Sequence, residues 1–372
     1  MQIQPRKEFT GLPATVHGGQ AWRLEGVEDY SQNLNPMGPP HDLAEIVAAA
    51  VDEAGHYPNA DCTVLKEKIA HHFGIQPENI AMGAGSSEII RNFPYVFVSP
   101  GESVLIPTPS FAEYAQQCRL AGVQVDYLPL KKENDFRIDT AELFEKLKSK
   151  HYKAFYLCNP NNPTGRIESR EKVREIVRFC EEIGTLVFLD ETLLSLCARH
   201  SLLSLIREIG DYTNLLIAGS FTKCFAIPGM RVGYAISSPA IIAEMEKARL
   251  PWNLGTVEQA VAMHLTEYDI DYVREASQSL EKEKGVMRAA LEDVGFHLDS
   301  PTDSFFYFVD VSEYGADAAK FVGFMLKEKI MVRDCSSFGP EFSTYIRFCV
   351  KDRERNDRFA DAVGKTLKAL GY

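Results

Sequence analysis

The chain has 372 residues, 45% of them hydrophobic and 25% charged, which is ordinary for a globular protein and more than one small core requires. Its 52 acidic residues against 40 basic ones leave a net charge of −12, a balance that gives a nucleic acid nothing to bind. No apolar stretch approaches the roughly 20 residues of a membrane-crossing helix, so no membrane partner is expected.

Met1 to Thr10 contains no apolar run, so no secretory signal is expected and the protein reads as cytoplasmic. The eight cysteines, at 62, 118, 158, 180, 197, 224, 335 and 349, make no Cys-x-x-Cys pair and share no zinc spacing with the nine histidines. Reduced thiols and no metal site are the expectation. The pair His71-His72 reads as a solvated helix face.

Short apolar runs then alternate with amphipathic segments. Ser103 to Ile106, Val123 to Leu128, Ala154 to Cys158, Thr185 to Leu189 and Leu215 to Ala218 read as buried strands. Helices are predicted near Ser110 to Leu120, Thr140 to Leu147, Ser169 to Glu182 and Leu202 to Ile209. This alternation predicts an α/β domain with a mostly parallel sheet covered on both faces, and ligands beyond the C-terminal strand ends. The last third changes character: a helix over Ile270 to Val294, a strand over Phe305 to Val311, a helix over Ala316 to Glu328, a strand over Tyr345 to Val350 and a helix over Arg353 to Leu370. A smaller α+β domain is expected there. The predicted organisation is an N-terminal arm with part of the small domain (1–40), a large domain (41–250) and a small C-terminal domain (251–372), with no repeat or linker between them.

Four turns, each just after a predicted strand, hold the candidate chemistry. Gly83-Ala84-Gly85-Ser86-Ser87-Glu88 opens a helix with small and hydroxyl residues. It is either a plain N-capped start or an anion site on free backbone N–H groups. It lacks the third glycine of a dinucleotide fingerprint. Asn159-Pro160-Asn161-Asn162-Pro163-Thr164-Gly165 is a rigid turn whose asparagines can donate. Asp190-Glu191 puts a carboxylate at the end of a buried strand, where it needs a partner: a structural cation, or a pyridinium nitrogen that a fixed anion keeps protonated. Ser220-Phe221-Thr222-Lys223, with Arg231 eight residues on, is the most specific. A lone strand-end lysine is usually a solvated surface group. With two hydroxyls and a guanidinium beside it, Lys223 reads as a desolvated amine able to form a Schiff base next to a phosphate.

Together these motifs resemble, over nearly the whole chain and in the same order, the class I/II aminotransferase family, whose members share one pyridoxal 5'-phosphate fold (fold type I). The resemblance implies that Lys223 carries the cofactor as an imine and later shuttles a proton at Cα. It implies that Asp190 pairs with the pyridine nitrogen, Asn162 reaches the phenolic oxygen and Phe111 stacks on the ring. Gly85, Ser86, Ser87, Ser220, Thr222 and Arg231 would hold the cofactor phosphate, and Arg347 the substrate carboxylate. Tyr57 would reach the phosphate across a homodimer interface. A departure stands at Leu193, where the family usually has a tyrosine touching the phenolic oxygen.

Within the family, His17-Gly18-Gly19, Asn33-Leu34-Asn35-Pro36-Met37-Gly38, Tyr57-Pro58-Asn59-Ala60-Asp61 and Pro251-Trp252-Asn253 are similar to the threonine-phosphate decarboxylases of cobalamin biosynthesis. Histidinol-phosphate aminotransferases are the close relatives. That likeness makes a small phosphorylated amino acid the expected substrate, with His17, Gly18, Asn33 and Arg333 around its phosphate. Two other classes are weighed. A non-catalytic ligand-sensing relative would carry an appended DNA-binding domain, which is missing here. A nucleotide-binding α/β protein would carry the glycine fingerprint.

Overall fold

The computed structural model describes all residues except 1, 2, 17, 19 and 20. Twelve strands follow in chain order: β1 Glu28–Asp29, β2 Ile80–Ala84, β3 Ser103–Thr108, β4 Gln124–Pro129, β5 Ala154–Cys158, β6 Leu186–Asp190, β7 Leu215–Ser220, β8 Val232–Ser237, β9 Phe306–Asp310, β10 Ile330–Met331, β11 Arg333–Asp334 and β12 Tyr345–Cys349. Seven of them form one sheet in the order β2-β8-β7-β6-β5-β3-β4. Strands β3 to β7 pair parallel, and β8 is antiparallel to both β7 and β2. Only β8 therefore runs against the rest, and the C-terminal ends of β2, β3, β5, β6 and β7 share one edge.

The central strands are apolar almost throughout because both faces are covered; polar residues stand only at the C-terminal ends of β6 and β7, at Asp190 and Ser220. Alternate residues feed two different cores. Val187 and Leu189 of β6 and Leu215 and Ile217 of β7 join one; Phe188, Leu216 and Ala218 join the other. The first core includes Leu65 and Ile69 of the helix Thr63–Phe73 and Val273 of the helix Thr256–Asp293. The second includes Ile89, Tyr114 and Ile241 from helices on the opposite side. This matches the predicted α/β class.

The C-terminal third builds a three-stranded antiparallel sheet, β11-β12-β9, backed by the helices Ala318–Lys327 and Arg353–Leu370. The register sets Arg333 opposite Arg347. Strand β1 pairs with β10, so the chain ahead of residue 40 is tied to this part of the molecule.

Two expectations need correction. The helix predicted over Leu202 to Ile209 is broken into a short turn, His200–Leu203, and a 3-10 segment, Ile206–Asp211. Ser204 between them is extended, and its hydroxyl accepts from Ile206 N at 3.1 Å and donates to Glu191 Oε2 at 2.6 Å, competing with helical bonding. The helix predicted from Ile270 begins at Thr256 instead. Val261, Ala262 and Leu265 are buried at helical spacing, and the Thr266 hydroxyl bonds the Ala262 carbonyl at 2.7 Å, so the β-branched residue is absorbed. All eight cysteines are free and buried. Among the described residues no helix is long and apolar enough to cross a membrane.

Candidate active site

The strand ends that share the sheet edge close round a cavity of about 350 Å³. Its wall includes Ser86, Ser87, Phe111, Asn162, Asp190, Ser220, Thr222, Lys223 and Arg231 from that edge, with Gly18, Asn33, Arg333 and Arg347 from the N-terminal arm and the C-terminal sheet. Thirteen residues singled out from sequence thus meet in one place. Gly85 supports the wall from just behind Ser86. Tyr57 does not line it: it is 75% exposed and stacks on Trp252 with ring centroids 4.5 Å apart. His17 lies outside the described residues.

At the β2 end, Gly85 has φ +74, and a Cβ there would lie 2.4 Å from Arg231 Nη2. A Cβ on Gly233 would lie 2.4 Å from Ser86 N. Gly85 therefore leaves room for Arg231 at the N-terminus of the helix Ser86–Phe97, and Gly233 lets β8 pass close against the backbone there. Arg231 Nη2 donates to Ser87 Oγ at 3.3 Å. Free backbone N–H groups, two hydroxyls and a guanidinium converge there as an anion cradle. Glu88 and Asn253 brace it from behind. Glu88 Oε2 accepts from Ala84 N at 2.6 Å and from Asn253 Nδ2 at 2.9 Å.

Lys223 sits in the short turn after β7. Burial, then the charges of Arg347 and Arg231, lower its ammonium to about 8. The turn is pinned from two sides. Ser220 Oγ accepts from Thr222 N and donates to Val232 O, each at 3.0 Å. Asn35 N donates to Lys223 O at 3.0 Å, and Asn35 Nδ2 to Cys224 O at 2.8 Å. Ser220 would have to exchange its bond to Val232 before it could donate to a ligand.

Asp190 is 3% exposed, and burial raises its carboxyl. Hydrogen bonds oppose that: Tyr114 O–H donates to Oδ2 at 2.6 Å, Thr192 N to Oδ1 at 2.9 Å, and the Thr192 hydroxyl also donates to Oδ1. No cation pairs with it among the described residues. A positive ligand group arriving beside it would favour the ionised form further. Tyr114 was not foreseen from sequence; its signal is a tyrosine one helical turn after Phe111, on which it packs edge to face at 5.6 Å.

On the far wall, Arg347 is 7% exposed, and burial lowers its guanidinium to about 10. Nη1 donates to Asn162 Oδ1 and Nη2 to Ser31 O at 2.5 Å, while the buried Nε has no partner among the described residues. Arg333 Nη2 donates to Val16 O and Ser337 Oγ, both at 2.7 Å. Ser337 and Ser31 line the cavity and were also missed. Asn33 Oδ1 is buried and likewise meets no partner among the described residues. Leu193 lines the wall where the resemblance leads one to expect a tyrosine.

The model of the "Aminotransferase class I and II" family matches residues 27–363. A protein of Caldanaerobacter subterraneus subsp. tengcongensis, carried under the name of a threonine-phosphate decarboxylase, is 30% identical over 94% of this chain and 93% of its own. Histidinol-phosphate aminotransferase 2 of Archaeoglobus fulgidus is 32% identical over 91% of this chain and 92% of its own. The crystal structure of the histidinol-phosphate aminotransferase from Clostridium acetobutylicum superposes with a TM-score of 0.83 at 28% identity, covering 92% of this chain and 99% of that one. The chain belongs to the class I and II aminotransferases and is a pyridoxal-phosphate-dependent enzyme of that family.

Proposed function

We propose that the enzyme decarboxylates a small phosphorylated amino acid, with threonine phosphate as the first candidate, and that it works as a homodimer. The observation that carries this reading is the pair of guanidinium groups on the far wall. Arg333 and Arg347 are cross-strand partners, both buried, both on the same cavity. Among the described residues their hydrogen bonds go to neutral groups, a carbonyl and a hydroxyl for one, an amide and a carbonyl for the other. Two like charges held together away from water are costly unless anions meet them. A substrate carrying both a carboxylate and a phosphate supplies two.

The residues present fit the cofactor. The cradle at Gly85, Ser86, Ser87 and Arg231 suits a phosphate: Gly85 lets the guanidinium close on the helix start, where the Ser87 hydroxyl meets it. Asp190 is a buried carboxylate without a cation, suited to a protonated ring nitrogen. Asn162 has its amide oxygen held by Arg347, so what it can offer a ligand is its amide N–H. Phe111 supplies a ring face at the start of the helix Ala112–Leu120.

Pyridoxal phosphate, when bound, supplies an electron-withdrawing ring joined to the substrate nitrogen, which accepts the electron pair left when a bond at Cα breaks. The protein's part is binding and proton handling. Lys223 Nζ, lowered to about 8, offers a larger neutral fraction near neutral pH than an ordinary lysine, and would hold the cofactor covalently. The same Nζ would deliver a proton to the substrate Cα. Arg347 holds the carboxylate bidentately, and Arg333 with Ser337 holds the phosphate. Tyr57, exposed and outside the cavity of its own chain, would serve a second subunit if the family resemblance holds there.

The second reading is histidinol-phosphate transamination, favoured by the 32% relative. A side-by-side assay of threonine phosphate, histidinol phosphate and their unphosphorylated forms separates the two. Carbon dioxide from threonine phosphate alone supports the decarboxylase. Glutamate-dependent exchange with histidinol phosphate supports the aminotransferase. Equal activity with plain amino acids overturns the phosphate site at Arg333, because losing its partner should cost about a hundredfold.

A further inference from the structure

A second space lies behind the first, with a volume of about 530 Å³ against about 350 Å³ for the cavity at Lys223. Strand alternation separates them. Asp190 and Ser220 line the first; their immediate neighbours Glu191 and Gly219 line the second. Phe73, Leu194 and Val273 give the second space apolar walls drawn from three separate segments. The ring of Tyr234 lies across Gly219, where a Cβ would sit 2.3 Å away, so this wall too is built by the sequence. Interiors are packed nearly to crystal density, with few voids larger than a water. A space of this size with apolar walls and a few polar groups has the make-up of a small-molecule site.

Charge narrows the occupant. Glu191 at the floor is engaged by the Ser204 hydroxyl at 2.6 Å and is turned into the protein. Arg199 and Arg207 stand exposed at the margin, and neither has an ion pair among the described residues. Arg274, the third arginine there, donates to Asp271. In a chain of net charge −12, unneutralised arginines beside an apolar space favour an anion.

We propose that this cavity is a second ligand site, separate from the catalytic one, for an organic anion with an apolar body: the body between Phe73, Leu194 and Val273, its carboxylate or sulfonate at Arg199 and Arg207. The inference does not depend on which substrate the catalytic site takes.

The probe is 1-anilinonaphthalene-8-sulfonate, titrated by fluorescence into the cofactor-loaded enzyme so that the first cavity is filled. Saturable binding of one probe per chain is expected. Ala198→Trp, which fills the space from a half-buried wall position, should weaken it by about tenfold or more. The double charge reversal Arg199→Glu/Arg207→Glu should weaken it by about fivefold or more, and the same naphthylamine lacking the sulfonate should bind the parent about fivefold less tightly. No saturable binding to the loaded enzyme overturns the site. So does an unchanged affinity in an Ala198→Trp protein whose melting temperature and visible spectrum match the parent. Should that variant fail to fold, the surface double reversal decides instead: unchanged affinity there, or equal affinity for the uncharged naphthylamine, overturns the anion.

Discussion

Tyr114→Phe is the substitution that most directly tests how the site holds its cofactor. Tyr114 is buried, and its O–H donates to Asp190 Oδ2 at 2.6 Å. The change removes that one bond and keeps the ring against Tyr156 and Phe188, whose centroids lie 5.6 and 6.0 Å away. A hydrogen bond to a charged group is worth about 1.5–3 kcal/mol, and one pKa unit corresponds to about 1.4 kcal/mol. Burial already raises the Asp190 carboxyl while Tyr114 and Thr192 hold it down, so losing Tyr114 should raise it by a further one to two units or so. Only the carboxylate pairs with a protonated ring nitrogen. A higher carboxyl pKa means the proton returns at higher pH, so cofactor affinity should be lost earlier as pH falls. We expect pyridoxal phosphate to bind the variant about ten- to a hundredfold more weakly, with the acid limb of binding displaced upward by the same one to two units. The assay is titration of cofactor-free protein, followed by visible absorbance from mildly acid to mildly alkaline pH. A folded variant with parental affinity and an unmoved acid limb would refute the reasoning.

Lys223→Ala should leave a folded protein that forms no borohydride-stable link to the cofactor; mass spectrometry finding such a link elsewhere would sink the assignment. Arg347→Lys should keep cofactor binding and lose most turnover, since a lysine cannot offer two parallel donors to a carboxylate, and near-normal kinetics would rule the role out. Tyr57→Phe should weaken cofactor binding by about 1–2 kcal/mol in a dimer, and a fully active monomer by light scattering would exclude the shared site. Glu191→Gln tests the buried carboxyl beside Asp190, which burial raises to about 7. A group raised on folding gives its full stabilisation below its unfolded pKa and loses it as pH rises through the folded value. The parent should therefore lose about 3 kcal/mol of stability from acid to alkaline pH that the glutamine variant keeps, and parallel melting curves across that range would refute it.

What could be read from the sequence was local. The turns at Gly85, Asn162, Asp190 and Lys223 announce themselves because each needs special residues just after an apolar strand, and the parallel sheet then gathers them without further instruction. Contacts between distant segments left no such trace. The Tyr114 hydroxyl meets a carboxylate 76 residues on, and Arg347 meets the Ser31 carbonyl from the other end of the chain. The adjacency of Arg333 and Arg347 is a matter of strand register, which thirteen intervening residues do not encode in any short pattern. Ser204 broke a helix whose apolar spacing was sound, because its hydroxyl had a better partner in Glu191. His71 is exposed as expected, but His72 beside it is half-buried on the rim of the second cavity.

Leu193 changes how the remaining polar groups must share their work. By the family resemblance a tyrosine hydroxyl would stand there beside Asn162 at the phenolic oxygen of the ring. Leucine offers no donor, so on that side Asn162 carries the interaction with its amide N–H. The orientation of that amide is in turn set by Arg347, which grips its oxygen. The residue proposed to hold the substrate carboxylate is thus also the residue that aims the only side-chain donor identified at this edge of the ring. If Arg347 holds the substrate carboxylate and Asn162 the phenolic oxygen, the two proposed roles would be joined through one side chain. A hydroxyl at 193 would buffer them from each other; with leucine, a shift of the guanidinium toward an incoming carboxylate would act on Asn162 directly.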